Sequence, residues 1–134
     1  MDVEKKDVSS YGIITPGKLL ENNIIEILDL IEKPSIENAP SNMAVVGRYI
    51  IEPAIFKELE KQNKDASNEI QLTDAIANRI GETDCSGYKF KEERFDCGSK
   101  LGFIQANIKL SLESDEIKKG LKTWLKKEFF DSKF

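Results

Sequence analysis

The chain has 134 residues, 24 of them acidic and 20 basic, for a formal net charge of −4. That length suits a single domain over residues 1–134, and the mildly acidic balance gives no overall electrostatic pull toward nucleic acid. The sequence contains no histidine, which excludes Ser-His-Asp and Cys-His nucleophilic catalysis and every histidine-containing zinc site. Its two cysteines, Cys85 and Cys97, form no C-x-x-C and read as reduced, cytoplasmic thiols. The charged opening from Met1 to Asp7 predicts no signal peptide, and no apolar run approaches the roughly 20 residues that a membrane helix needs. A soluble cytosolic enzyme and an interaction module are the two classes left.

The first ten residues are polar and are expected to be mobile. Tyr11 to Thr15 reads as a short β-type run stopped by the Pro16-Gly17 turn signal. Ile24 to Glu32 fits both periods. Ile24, Ile27, Leu28 and Ile31 suit a helix, and Ile25, Ile27 and Ile31 one face of a strand. Its isoleucine richness and the stop at Pro34 favour the strand. After a loop from Pro34 to Pro40, Met43 to Ile51 reads as a mostly buried strand in the same mixed sheet. Helices follow near Pro53–Gln62, Glu69–Ile80 with Gly81 as C-cap, Leu101–Leu112, and Asp115–Phe129 capped by Ser114. A short strand at Tyr88–Phe90 lies between the second and third. Strands first and helices later describe a small α+β domain or part of a larger α/β sheet.

Three residues carry candidate chemistry. Glu32 and Lys33 sit at a strand end, where a carboxylate can accept from sugar hydroxyls and an ammonium can neutralise a phosphate. The plainer reading is a solvated charge pair before a turn. Asp96, before Cys97-Gly98, could supply one carboxylate to Mg²⁺, or simply form the turn. Glu69, Gln71 and Asp74 crowd a helix start, which the helix dipole alone explains. Lysines 118, 119, 122, 126 and 127 make the last helix basic, and a solvated face outweighs a nucleic-acid site there because no aromatic platform accompanies them. Trp124 reads as packing. No G-x-G-x-x-G or G-x-x-x-x-G-K-[ST] is present.

Five blocks occur in a telling order: Tyr11-Gly12-Ile13-Ile14, Ile31-Glu32-Lys33-Pro34, Ala39 through Tyr49, Glu69 through Ile76, and Asp96 through Gly102. From about Val8 to about Glu128 the series resembles the C-terminal half of bacterial UTP–glucose-1-phosphate uridylyltransferases. The resemblance implies an α/β, Rossmann-like nucleotide-diphospho-sugar transferase fold, with a mixed sheet and flanking helices. In that family the glycine matching Gly12 offers its backbone to a glucose hydroxyl, and the glutamate matching Glu32 binds sugar hydroxyls. The lysine matching Lys33 meets the sugar phosphate, and the aspartate matching Asp96 lies near phosphates and Mg²⁺.

The family's G-x-G-T-R-x-x-P-x-T-K loop and its second metal-binding aspartate have no match here. The nucleotide-binding half is therefore expected to be absent, and the chain alone inactive. Ser67-Asn68 and Glu92-Glu93 also depart from the family pattern. Expected partners are glucose 1-phosphate or UDP-glucose, and either a separate N-terminal half or a second copy meeting the apolar faces of Leu28, Val45 and Ile50. Nucleic acid and membrane are not expected. A non-catalytic remnant or interaction module is the alternative.

Overall fold

The computed structural model describes residues 1–64 and 68–130. Two compact units divide the chain, Met1–Lys91 and Glu92–Phe134. The first holds strands β1 (Gly12–Glu21), β2 (Ile24–Glu32) and β3 (Ser86–Tyr88), with helices α1 (Ile55–Lys61) and α2 (Leu72–Ala77). The second holds helices α3 (Lys100–Glu113) and α4 (Lys118–Phe129). The secondary structure is α/β, and the sheet runs β1-β2-β3 with every strand pairing antiparallel.

β2 occupies the stretch its isoleucines predict. β1 does not stop at Pro16-Gly17 but runs on to Glu21, with shifts in register on either side of Pro16. A bulge tolerates proline because the missing N–H is not needed in the ladder there. The carboxylate of Glu26 also reaches across, accepting from Lys18 N–H at 3.1 Å beside the bare Cα of Gly17. The hairpin closes at Asn22 and Asn23, both at positive φ (38° and 72°). That left-handed pair matches the right-handed twist of the flanking strands, and asparagine tolerates it better than most residues.

The strand predicted over Met43–Ile51 does not form. Met43 and Ala44 make single bridges to Asp2 and Ile13, and Val45 N–H donates to the Gly12 carbonyl at 2.9 Å. Gly47, at φ 74°, then turns the backbone out of line with the sheet, leaving Ile50 fully exposed (106%). Apolar composition made this stretch strand-like, but a ladder needs a partner along its whole length. Within the opening ten residues Lys5–Ser10 is a 3₁₀ turn whose Val8 is 1% exposed, and Met1 and Val3 pack against the cluster that it joins. Val8, Ile13 and Ala44 form one core cluster, and Ile14, Ile27 and Leu30 the other.

Helices α1, α2 and α4 are shorter than predicted, and α3 runs one residue further at each end. α2 ends at Ala77, and Gly81 (φ 100°) lies beyond it in a turn and is not the cap. β3 sits two residues earlier than expected, pairing Ser86–Tyr88 with Ile24–Glu26. In the second unit, Ser99 caps α3 by accepting from Gly102 N–H at 3.0 Å. The side chains of Leu101, Ile104 and Ile108 are exposed, and the small residues Gly102 and Ala106 are the buried ones. Gly102 is covered by the Asp96 carbonyl, which lies where its Cβ would be. Ser114 is the C-cap of α3 and not the N-cap of α4, which starts at Lys118 after a turn. Trp124 stacks edge-on against Phe129 with centroids 6.0 Å apart. Among the described residues, no helix is long and apolar enough to cross a membrane.

Candidate sugar-phosphate site

Gly12 is the first residue of β1 and Glu32 the last of β2, and the antiparallel register sets them directly opposite each other. Residues twenty apart in sequence thereby become cross-strand neighbours. The pair is locked from both ends: Lys33 N–H donates to the Tyr11 carbonyl at 3.0 Å, and Val45 N–H to the Gly12 carbonyl. The Ser41 hydroxyl donates to the Ile14 carbonyl at 2.7 Å and accepts from Met43 N–H, holding the segment before Val45 against β1.

Gly12 is buried in a crowd. A Cβ there would meet Val45 Cγ2 at 2.9 Å, Glu32 Oε2 at 3.0 Å and Thr73 Cγ2 at 3.1 Å. The glycine is thus what lets the Glu32 carboxylate lie against the strand. Lys33 follows with φ 43°, a left-handed backbone uncommon outside glycine, and its Nζ stands 3.8 Å from Glu32 Oε1. The ammonium is more than half exposed, whereas the Glu32 side chain is largely covered. A covered carboxylate beside a solvent-reaching cation suits a ligand with hydroxyls at one end and a phosphate at the other.

Tyr49 belongs to the same neighbourhood. Burial first, and the negative charge of Glu32 second, push its phenol above the ordinary tyrosine range. Neither Tyr49 nor Thr73 was singled out from sequence. The run Leu72-Thr73-Asp74 gave a signal for Thr73 only as part of a helix-start block.

Gly12, Glu32 and Lys33 therefore come together in the first unit, and Asp96 belongs to the second. Asp96 Oδ1 accepts from Gly98 N–H at 3.2 Å, and its carbonyl accepts from the Ser99 hydroxyl at 3.0 Å. A Cβ on Gly102 would collide with that carbonyl, so the loop lies flat on the start of α3. Among the described residues no group of three histidine, cysteine, aspartate or glutamate side chains is placed to hold a metal ion. Asp96 presents a single exposed carboxylate, one oxygen of which is engaged by Gly98 N–H. A separate hollow of about 100 Å³ between Ile51, Ile55, Ile76 and Ile80 does not include Glu32 or Lys33.

A family model described as nucleotidyl transferase matches residues 1–113, and the chain belongs to that family. Within it, the relatives are uridylyltransferases. The UTP–glucose-1-phosphate uridylyltransferase of Streptococcus pyogenes is 40% identical over 125 residues, covering 93% of this chain and 41% of the relative. That of Staphylococcus epidermidis RP62A is likewise 40% identical, with 43% of the relative covered. The chain thus spans well under half the length of these curated relatives.

Solved structures agree. A UDP-glucose pyrophosphorylase complexed with UDP-glucose is 42% identical with a TM-score of 0.76, over 84% of this chain and 42% of that one. A UTP-bound enzyme of the same kind from Acinetobacter baumannii is 34% identical, also at 0.76, over 92% and 42%. The fold is that of the nucleotidyltransferases, of which this chain holds a part. Among the departures noted in the sequence, Ser67 lies outside the described residues.

Proposed function

We propose that this chain carries the sugar-phosphate-binding part of a UTP–glucose-1-phosphate uridylyltransferase, which joins UTP and glucose 1-phosphate into UDP-glucose with release of pyrophosphate. The observation that carries the reading is the Gly12–Glu32 cross-strand pair with Lys33 beside it, in a chain related to these enzymes over nearly its whole length. Glu32 accepts hydrogen bonds from glucose hydroxyls. Lys33 sits on the phosphate, lowering the repulsion that its oxygen meets on approaching a second phosphate group. Gly12, whose carbonyl is engaged by Val45, contributes close backbone approach. In-line phosphoryl chemistry of this kind is positioning and electrostatics, so the absence of histidine is no obstacle.

Asp96 is proposed as one carboxylate ligand to Mg²⁺, whose other ligands would come from substrate phosphates and from outside this chain. The nucleotide-binding groups are proposed to reside on a separate N-terminal half. Exposed Leu19, Leu20, Leu28 and Ile50 support either association with that half or self-association, and the free thiols of Cys85 and Cys97 support a cytoplasmic setting.

The test is a chemical-shift titration with glucose 1-phosphate. Millimolar binding, about −4 kcal/mol, is expected, centred on Gly12, Glu32 and Lys33 and lost in E32A. A coupled assay of the chain alone with UTP and Mg²⁺ should read at background. A titration that leaves those amides unmoved would overturn the reading.

A further inference from the structure

Thr73 carries the one unexplained polar atom near this site. It is 6% exposed, and its hydroxyl is buried with no hydrogen-bond partner among the described residues. An orphaned buried hydroxyl costs about 1–3 kcal/mol, so its retention calls for a use. The usual outlet for a helical threonine is a carbonyl three or four residues earlier. Thr73 stands at the second position of α2, after an extended Gln71, so no preceding helical turn supplies one.

Its methyl, in contrast, is well placed. Thr73 Cγ2 and Glu32 Oε2 both lie within 3.1 Å of the point above Gly12 where a side chain would begin. Methyl and hydroxyl share one Cβ, so a single 120° step in χ1 puts the hydroxyl where the methyl now is, beside the same point above Gly12 that the carboxylate borders. Threonine in a helix has two accessible χ1 wells, which makes that step available.

We propose that Thr73 is a positioning residue for Glu32: on binding of a sugar phosphate its hydroxyl rotates to donate to the Glu32 carboxylate, fixing the orientation in which that carboxylate accepts from the sugar. The inference rests on the sugar-phosphate reading above. In the free chain the methyl borders the space above Gly12 and the hydroxyl stays unpaired. With ligand bound, one Glu32 oxygen takes sugar hydroxyls and the other takes Thr73. A hydrogen bond to a charged acceptor is also among the stronger kind.

The experiment uses the whole chain and glucose 1-phosphate as the probe. Three-bond couplings to the Thr73 methyl carbon report χ1 with and without ligand, and shift titrations give the affinity of wild type, T73V and T73S. Expected are a change of χ1 on saturation, T73V binding roughly tenfold more weakly, and T73S, which keeps the hydroxyl, binding as wild type does. Should T73V fail to fold, the couplings and T73S decide. Couplings that do not change with ligand, or T73V binding like wild type, overturn the role of Thr73 while leaving the site itself standing. A wild-type chain that does not bind the probe takes down the site and this inference together, and that shows in the first titration.

Discussion

Substituting alanine for Gly12 is the most direct perturbation of the arrangement. The added methyl would lie 2.9 Å from Val45 Cγ2, 3.0 Å from Glu32 Oε2 and 3.1 Å from Thr73 Cγ2, all closer than relaxed packing allows. The three neighbours differ in what they can give. Glu32 contacts the site with the far end of a flexible chain and can swing away cheaply. Val45 is β-branched, stiff at χ1 and held by its backbone bond to Gly12, and the Thr73 backbone is held in α2. The strain therefore falls on them, and overpacking of this kind costs about 1–3 kcal/mol.

With a urea m-value of about 1–3 kcal/mol/M for a chain of this size, the midpoint should fall by roughly 1 M. Far-UV circular dichroism, with hydrogen exchange of the β1 and β2 amides, follows the loss in the first unit. Glucose 1-phosphate binding should weaken as well, because the carboxylate is the group that moves. Gly120 is the control: nothing lies within 4 Å of a Cβ there, and it sits inside α4. G120A should stabilise that helix by about 0.5–1 kcal/mol. A G12A chain with unchanged midpoint, m-value and binding would refute the steric argument.

Three further outcomes follow from single features. S99A removes the side chain that accepts from Gly102 N–H at the start of α3 and should destabilise the second unit by about 1 kcal/mol, read as faster exchange of the first-turn amides. N23G relieves a positive φ of 72° in the hairpin turn and should raise the thermal midpoint, by about 0.5 kcal/mol in stability, without altering the β1–β2 register. Tyr49 gives a pH signature. Its phenol holds its proton more tightly folded than unfolded, through burial and then the Glu32 charge. Its contribution is therefore complete below the ordinary tyrosine value near 10 and is lost as pH rises through the folded value. Unfolding followed at alkaline pH should show that slope in wild type and a shallower one in Y49F. Identical slopes would count against the placement of Tyr49 beside Glu32.

The local chemistry of β2 was legible because its signal is local: isoleucines at strand spacing, then Pro34. The helices were legible for the same reason, though their ends were not, since Ser114 and Gly81 are cap-type residues that the structure uses elsewhere. The hairpin could also have been read from Asn22-Asn23, the turn pair between two apolar runs. Non-local pairing was beyond a linear reading. Met43–Ile51 has the composition of a buried strand, yet only three of its residues find backbone partners beside β1 before Gly47 turns the chain. Which face of α3 is buried depends likewise on what lies opposite: the Asp96 carbonyl lies where a Cβ on Gly102 would stand, and Gly102 and Ala106 are the buried residues.

For the site, residue order alone determined which residues to consider, since the blocks around Gly12, Glu32, Lys33 and Asp96 carry the family resemblance. Only the tertiary structure set Glu32 across from Gly12, because register is a property of two strands and a one-residue slip would send the carboxylate to the other face of the sheet. It alone also brought Thr73 beside them, sixty-one residues from Gly12, with a buried hydroxyl whose lack of a partner is visible only once its neighbours are in place.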